Sequence, residues 1–216
     1  MKKRNLKIKV CGMKHLENIQ EVAALSSDYL GFIFYPKSPR NFEGEIPEIS
    51  DTIKKTGVFV NADLDFVVEK VNKYNFKAVQ LHGSETADYC LTLKQQVPAI
   101  EVFKVFGIKD RFDFSALNAY EGIVDYFLFD TKGKEKGGNG YTFDWNVLKQ
   151  YKSKTPIILS GGIGIQELNK IEQILKTDLP IYALDLNSKF ETEPGLKNTE
   201  LLKEFINRVQ NIEYRI

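Results

Sequence analysis

Leu6-Lys7-Ile8-Lys9-Val10-Cys11 alternates apolar and polar residues and ends on a cysteine. A strand turns successive side chains to opposite faces, so Leu6, Ile8 and Val10 share one face and Lys7, Lys9 and Cys11 the other. Tyr126-Phe127-Leu128-Phe129-Asp130 has the same form, with Phe127 and Phe129 opposing Tyr126, Leu128 and Asp130. In Tyr182–Leu186, Leu184 and Leu186 oppose Ala183 and Asp185. A parallel strand buried on both faces reads as a near-continuous apolar run. Polar groups kept to one parity, at or near C-terminal strand ends, fit a closed barrel instead: apolar residues face a helix layer and polar ones face the mouth.

Working outward, the pattern predicts strands at Leu6–Cys11, Tyr29–Phe34, Thr56–Val60, Ala78–Leu81, Ile100–Val105, Tyr126–Asp130, Pro156–Ser160 and Tyr182–Leu186. Helices are predicted between and after them at His15–Leu25, Ile46–Lys54, Leu64–Tyr74, Glu85–Gln96, Asp110–Ala119, Trp145–Tyr151, Gln166–Leu175 and Thr199–Gln210. Eight β-then-α units imply an α/β fold, a single eight-stranded parallel (β/α)8 barrel of the TIM-barrel type spanning residues 1–216. An open doubly wound sheet is the alternative. No Pro/Gly/Ser linker or composition break divides the chain.

The 216 residues carry 30 Lys and Arg against 29 Asp and Glu, a balance that gives no electrostatic case for nucleic acid or an anionic membrane. No apolar run approaches the roughly 20 residues of a bilayer span. Cys11 and Cys90 are the only cysteines and lack a framework spacing, so the expectation is a cytoplasmic enzyme without structural disulfides. His15 and His82 are the only histidines, and metal-ligand spacing is absent.

Cys11, His82, Asp130, Ser160 and Asp185 all fall at C-terminal strand ends, the active end of such barrels. Cys11 needs a helper to act as a thiolate, and Lys9 lies two residues earlier on the same parity. The competing reading is a buried small hydrophobe, and that reading is preferred for Cys90 inside its helix. Asp130 follows an apolar run, and a carboxyl withdrawn from water suits general-acid work; the alternative is a carboxylate paired with an inward lysine such as Lys9. The glycine-rich residues after it, 131–140, are expected either to fold over a ligand or, the simpler reading, to make a disordered surface loop. Gly161 and Gly162 follow strand seven, and Asp185, Asn187 and Ser188 end strand eight, where phosphate sites recur in this architecture. Arg40, in Tyr35-Pro36-Lys37-Ser38-Pro39-Arg40, offers a planar fork for a carboxylate or simply an exposed basic loop. His82 serves either the reaction or a supporting hydrogen bond.

In order along the chain, these pieces resemble the phosphoribosylanthranilate isomerase family. The matching stretches are Lys9-Val10-Cys11-Gly12-Met13, Gly31-Phe32-Ile33-Phe34-Tyr35-Pro36-Lys37-Ser38-Pro39-Arg40, Val79-Gln80-Leu81-His82-Gly83 and Phe129-Asp130-Thr131. Gly137-Gly138-Asn139-Gly140, Ser160-Gly161-Gly162-Ile163 and Asp185-Leu186-Asn187-Ser188, with Glu191 and Pro194-Gly195-Leu196-Lys197, complete the set. The resemblance implies a cofactor-independent Amadori rearrangement of N-(5′-phosphoribosyl)anthranilate in tryptophan biosynthesis. Cys11 would be the base and Asp130 the acid. Arg40 would hold the anthranilate carboxylate, while Gly162, Asn187 and Ser188 would help bind the phosphate. The implied partner is a phosphorylated small molecule, and the protein would be a monomer or homodimer. Asn139, Asn187 and Lys189 depart from the family's commoner Thr, Ser and Gly, which touches the phosphate loops but neither proton-transfer residue.

Overall fold

β1 (Lys7–Cys11) pairs in parallel with β2 (Tyr29–Phe34) on one side and with β8 (Ile181–Leu186) on the other, so the first and last strands close the sheet. The computed structural model describes residues 6–131 and 142–212. Between those strands run β3 (Lys54–Phe59), β4 (Ala78–Leu81), β5 (Glu101–Ile108), β6 (Tyr126–Thr131) and β7 (Ile157–Leu159). All eight are parallel and neighbour one another in chain order, a closed (β/α)8 barrel rather than an open sheet.

The alternation in sequence becomes a division of the core. Tyr29, Ala78, Phe103, Val105, Leu128, Ile158 and Ala183 form an inner cluster, with Tyr126 and Tyr182 packed on it. The opposite parity, including Ile8, Val10, Phe127, Phe129, Leu184 and Leu186, joins the larger cluster beneath the helices. Lys9, Thr56, Gln80, Asp130, Ser160 and Asp185 are buried polar residues on the inward parity of their strands or just beyond their ends.

Among the described residues, five α-helices cover the barrel: α1 (Leu16–Ala23), α2 (Leu64–Tyr74), α3 (Ala87–Gln96), α4 (Leu168–Leu175) and α5 (Thr199–Gln210). The predicted helix over 46–54 does not form. Ser50 Oγ meets Thr52 Oγ1 at 2.8 Å and accepts from Thr52 N at 3.3 Å, local bonds that compete with a helical ladder, and Lys54 starts β3. The helix expected at 110–119 is a 3₁₀ segment, Phe114–Tyr120, capped by Asp113, whose carboxylate accepts from Ser115 N. The one expected at 145–151 is likewise 3₁₀, Trp145–Gln150, capped by Asp144. A three-residue 3₁₀ turn, Ile165–Glu167, leads into α4. After β8 comes an unpredicted feature: a 3₁₀ turn, Ser188–Phe190, then a small antiparallel hairpin of β9 (Glu191–Glu193) and β10 (Leu196–Lys197). Among the described residues no helix is long and apolar enough to cross a membrane.

Candidate active site

Cys11 sits at the end of β1 directly opposite Gly31 of β2. A Cβ at Gly31 would lie 2.9 Å from Cys11 Sγ and 3.3 Å from Lys9 Nζ, so the missing side chain is what lets thiol and ammonium converge. Lys9 is opposite Asp185 of β8, and its Nζ bonds Asp185 Oδ1 at 2.7 Å with the lysine side chain fully buried. Ser160 Oγ donates to Asp185 Oδ2 at 3.0 Å. Lys9 therefore pairs with Asp185, not with Asp130. Burial pushes the Cys11 thiol above its ordinary value; Lys9 and Lys197 pull it back, while Asp185 pushes it further up.

Asp130 enters from β6, 5% exposed, and its Oδ1 accepts from Thr131 N at 2.8 Å. His82 Nε2 lies 3.4 Å from Asp130 Oδ2, and Gln80 Nε2 lies 3.2 Å from His82 Nδ1. With the amide nitrogen as donor, Nδ1 accepts and Nε2 carries the hydrogen that faces Asp130. Glu85 fixes the loop that carries His82: its carboxylate accepts from Gly83 N and Asn61 N and pairs with buried Lys104 at 2.9 Å.

Gly161 and Gly162 follow Ser160 with φ of +83° and +67°, a left-handed pair that non-glycine residues rarely adopt. A Cβ at Gly161 would stand 2.7 Å from Asp130 Oδ1, so glycine here also permits close approach to the acid candidate. Across the mouth, Arg40 grips Glu191 through Nε and Nη2, with contacts of 2.6–3.0 Å. Gly12, at φ +77°, lies under both Arg40 Cδ and Asn187 Oδ1.

One pocket at the mouth is lined by both Cys11 and Asp130, and by Arg40, His82, Gly161, Gly162, Asp185, Asn187 and Ser188. Cys90 is buried in the core away from this pocket, as its packing reading requires. Residues 132–140 of the glycine-rich loop, Asn139 among them, lie outside the described residues. Sequence reasoning missed the Arg40–Glu191–Lys197 cluster, because a hairpin absent from the strand pattern brings it together. It also missed the apolar wall of Ile33, Val58 and Val60, although their inward parity was legible. Among the described residues no group of three or more His, Cys, Asp or Glu is arranged to hold a metal ion.

Comparison with known proteins adds to this geometry. Residues 8–208 match the family model for N-(5′-phosphoribosyl)anthranilate (PRA) isomerase. The N-(5′-phosphoribosyl)anthranilate isomerase of Parabacteroides distasonis is 44% identical over 209 residues, covering 94% of this chain and 92% of that relative. The crystal structure of phosphoribosyl anthranilate isomerase from Thermus thermophilus superposes with a TM-score of 0.80 at 25% identity, covering 96% of this chain and all of that one. A further solved phosphoribosyl anthranilate isomerase, bound to reduced 1-(o-carboxyphenylamino)-1-deoxyribulose 5-phosphate, gives a TM-score of 0.77 at 25% identity, covering 95% and 98%. With a family model spanning nearly its whole length and a close relative of the same activity, the chain belongs to the N-(5′-phosphoribosyl)anthranilate isomerase family.

Proposed function

We propose that Cys11 and Asp130 carry the two proton transfers of the reaction this chain catalyses as a member of its family. That reaction is the isomerisation of N-(5′-phosphoribosyl)anthranilate to 1-(2-carboxyphenylamino)-1-deoxyribulose 5-phosphate, a step of tryptophan biosynthesis. The observation that carries the assignment is that the sulfur of β1 and the carboxyl of β6 line the same pocket. Asp130 gives its proton to the ribose ring oxygen. The C1–O bond breaks and the anthranilate nitrogen supplies the electrons, leaving an iminium ion. Cys11, as thiolate, takes the proton from C2, and the C–H electrons neutralise the iminium to form an enolamine. Tautomerisation yields the ketone, with no atoms gained or lost. Each positioned proton transfer contributes about 10²–10⁴-fold.

His82 holds the Asp130 carboxyl from the side, and Lys9 places a cation beside the sulfur. Arg40 takes the anthranilate carboxylate. The backbone N–H groups at Gly161 and Gly162, with Asn187 and Ser188, take the phosphate, since backbone without side chains lets an anion approach its N–H groups closely. Asp185 acts on the substrate through Lys9 and Ser160. The reading includes a cytoplasmic monomer or homodimer, which sedimentation of the purified protein distinguishes.

The test is Cys11→Ala and Asp130→Asn, assayed by loss of the fluorescence of freshly made phosphoribosylanthranilate. Both variants should fold and bind the reduced product analogue, yet lose at least ~10²-fold in kcat. Near-normal turnover by either would remove that residue from its role.

A further inference from the structure

Arg40 poses an electrostatic problem for its proposed task. Its Nε and Nη2 are already committed to Glu191, whose side chain is only 5% exposed. A bidentate carboxylate at this range would leave the guanidinium with little net charge for a second, incoming carboxylate. The structure supplies a third member. Lys197 on β10, its side chain fully buried, donates to Glu191 Oε1 at 2.5 Å and to Asn187 Oδ1 at 2.8 Å. Gly195 N also donates to Glu191 Oε1 at 3.1 Å. Burial lowers the Lys197 pKa from its ordinary value, while the Glu191 carboxylate that it bonds opposes that and favours the ammonium. The cluster of Arg40, Glu191 and Lys197 thus holds two cations and one anion, a net charge of +1. Arg40 Nη1 has no protein partner among the described residues, and Arg40 lines the pocket.

We propose that Lys197 determines substrate specificity from behind Arg40: its buried ammonium offsets Glu191, so Glu191 aims the guanidinium without cancelling the charge that grips the anthranilate carboxylate. This rests on the reading of Arg40 as that carboxylate's partner. Lys197 is a positioning residue, since it acts on the aryl carboxylate through two other side chains. Its bond to Asn187 also ties the grip on one end of the substrate to the loop proposed for the phosphate at the other.

The experiment measures Kd for two ligands: the reduced product analogue with its ring carboxyl, and the same molecule without it. The ratio of the two is the carboxylate preference, and a purely structural defect would weaken both ligands alike. Lys197→Met leaves the cluster neutral and should shrink the preference by ~10-fold or more, a change of about 1.4 kcal/mol. Glu191→Gln with Lys197→Met returns the cluster to +1 and should recover most of the preference. If Lys197→Met does not fold, the step from Glu191→Gln to the double variant carries the test, and it should itself lower the preference. An unchanged ratio at either step overturns the inference, as does a double variant no better than Lys197→Met. Arg40→Met separates the underlying reading: if it leaves the preference of the otherwise unaltered protein intact, Arg40 is not the carboxylate's partner and the inference falls with it.

Discussion

At the scale of single residues, the Cys11 sulfur is governed by opposed forces. Burial raises its pKa above the ordinary 9.0, and the lysines at positions 9 and 197 only partly reverse that. The unliganded site at neutral pH therefore holds mostly thiol, and the thiolate fraction grows as pH rises. Alkylation by iodoacetamide reads that fraction directly, since only the thiolate attacks. In a Cys90→Ser background, the rate should reach its midpoint above pH 9.0. Lys9→Met removes the nearest cation and leaves Asp185 beside the sulfur, so its midpoint should move higher still. A midpoint that falls, or stays put, would show that Lys9 does not act on the sulfur. The cysteine, its parity with Lys9 and its place at a strand end were all legible in the sequence. That Lys9 would choose Asp185 over Asp130 was not, because the choice depends on the register that sets Lys9 opposite Asp185.

At the scale of elements, strands were easier to read than their connections. A strand here is a short, largely apolar run buried on both faces, and β2 and β4 begin and end where the predicted runs do. Segments such as 46–54 and 110–119 carry helix-like apolar spacing, but Ser50 and Asp113 bond nearby backbone amides and hold the chain in turns. The β9–β10 strands, three and two residues long, are too short to show a period, and only Pro194-Gly195 between them marks a turn. The hairpin's stability comes from elsewhere: Asn18 of α1 donates Nδ2 to Lys197 O at 2.9 Å and accepts from Lys197 N at 2.7 Å. A buried helix residue thus completes the backbone bonding of a strand at the pocket. Asn18→Ala strands both groups and should cost at least about 2 kcal/mol in urea denaturation. Because β10 presents Lys197, KM should rise as well; a stability loss with unaltered KM would mean the hairpin does not depend on this clamp for its position.

For the whole molecule, the barrel separates what holds it together from what it does. The interior toward the N-terminal ends of the strands is an aromatic plug. Tyr126 and Tyr182 stack at 4.3 Å, Tyr29 packs edge-on against Phe103 at 5.5 Å, and Tyr29 Oη bonds Glu101 at 3.0 Å. The opposite end carries the buried polar groups and the pocket. This division, functional residues at one face and packing at the other, is general to such barrels. It predicts opposite signatures for mutations at the two ends. Phe103 is fully buried, and Phe103→Ala should cost about 3–5 kcal/mol through lost contacts and the cavity left behind. For a chain of this size that corresponds to a fall in Tm of roughly 6–20 °C. The fraction still folded at low temperature should keep kcat within about threefold of the parent, since Phe103 is not among the residues that line the pocket. Cys11→Ala should do the reverse, with Tm falling by no more than about 4 °C while turnover collapses. Calorimetry and kinetics on the same two preparations check both halves. A Phe103→Ala protein that is folded at low temperature yet inactive would show that packing at the base sets the geometry at the mouth.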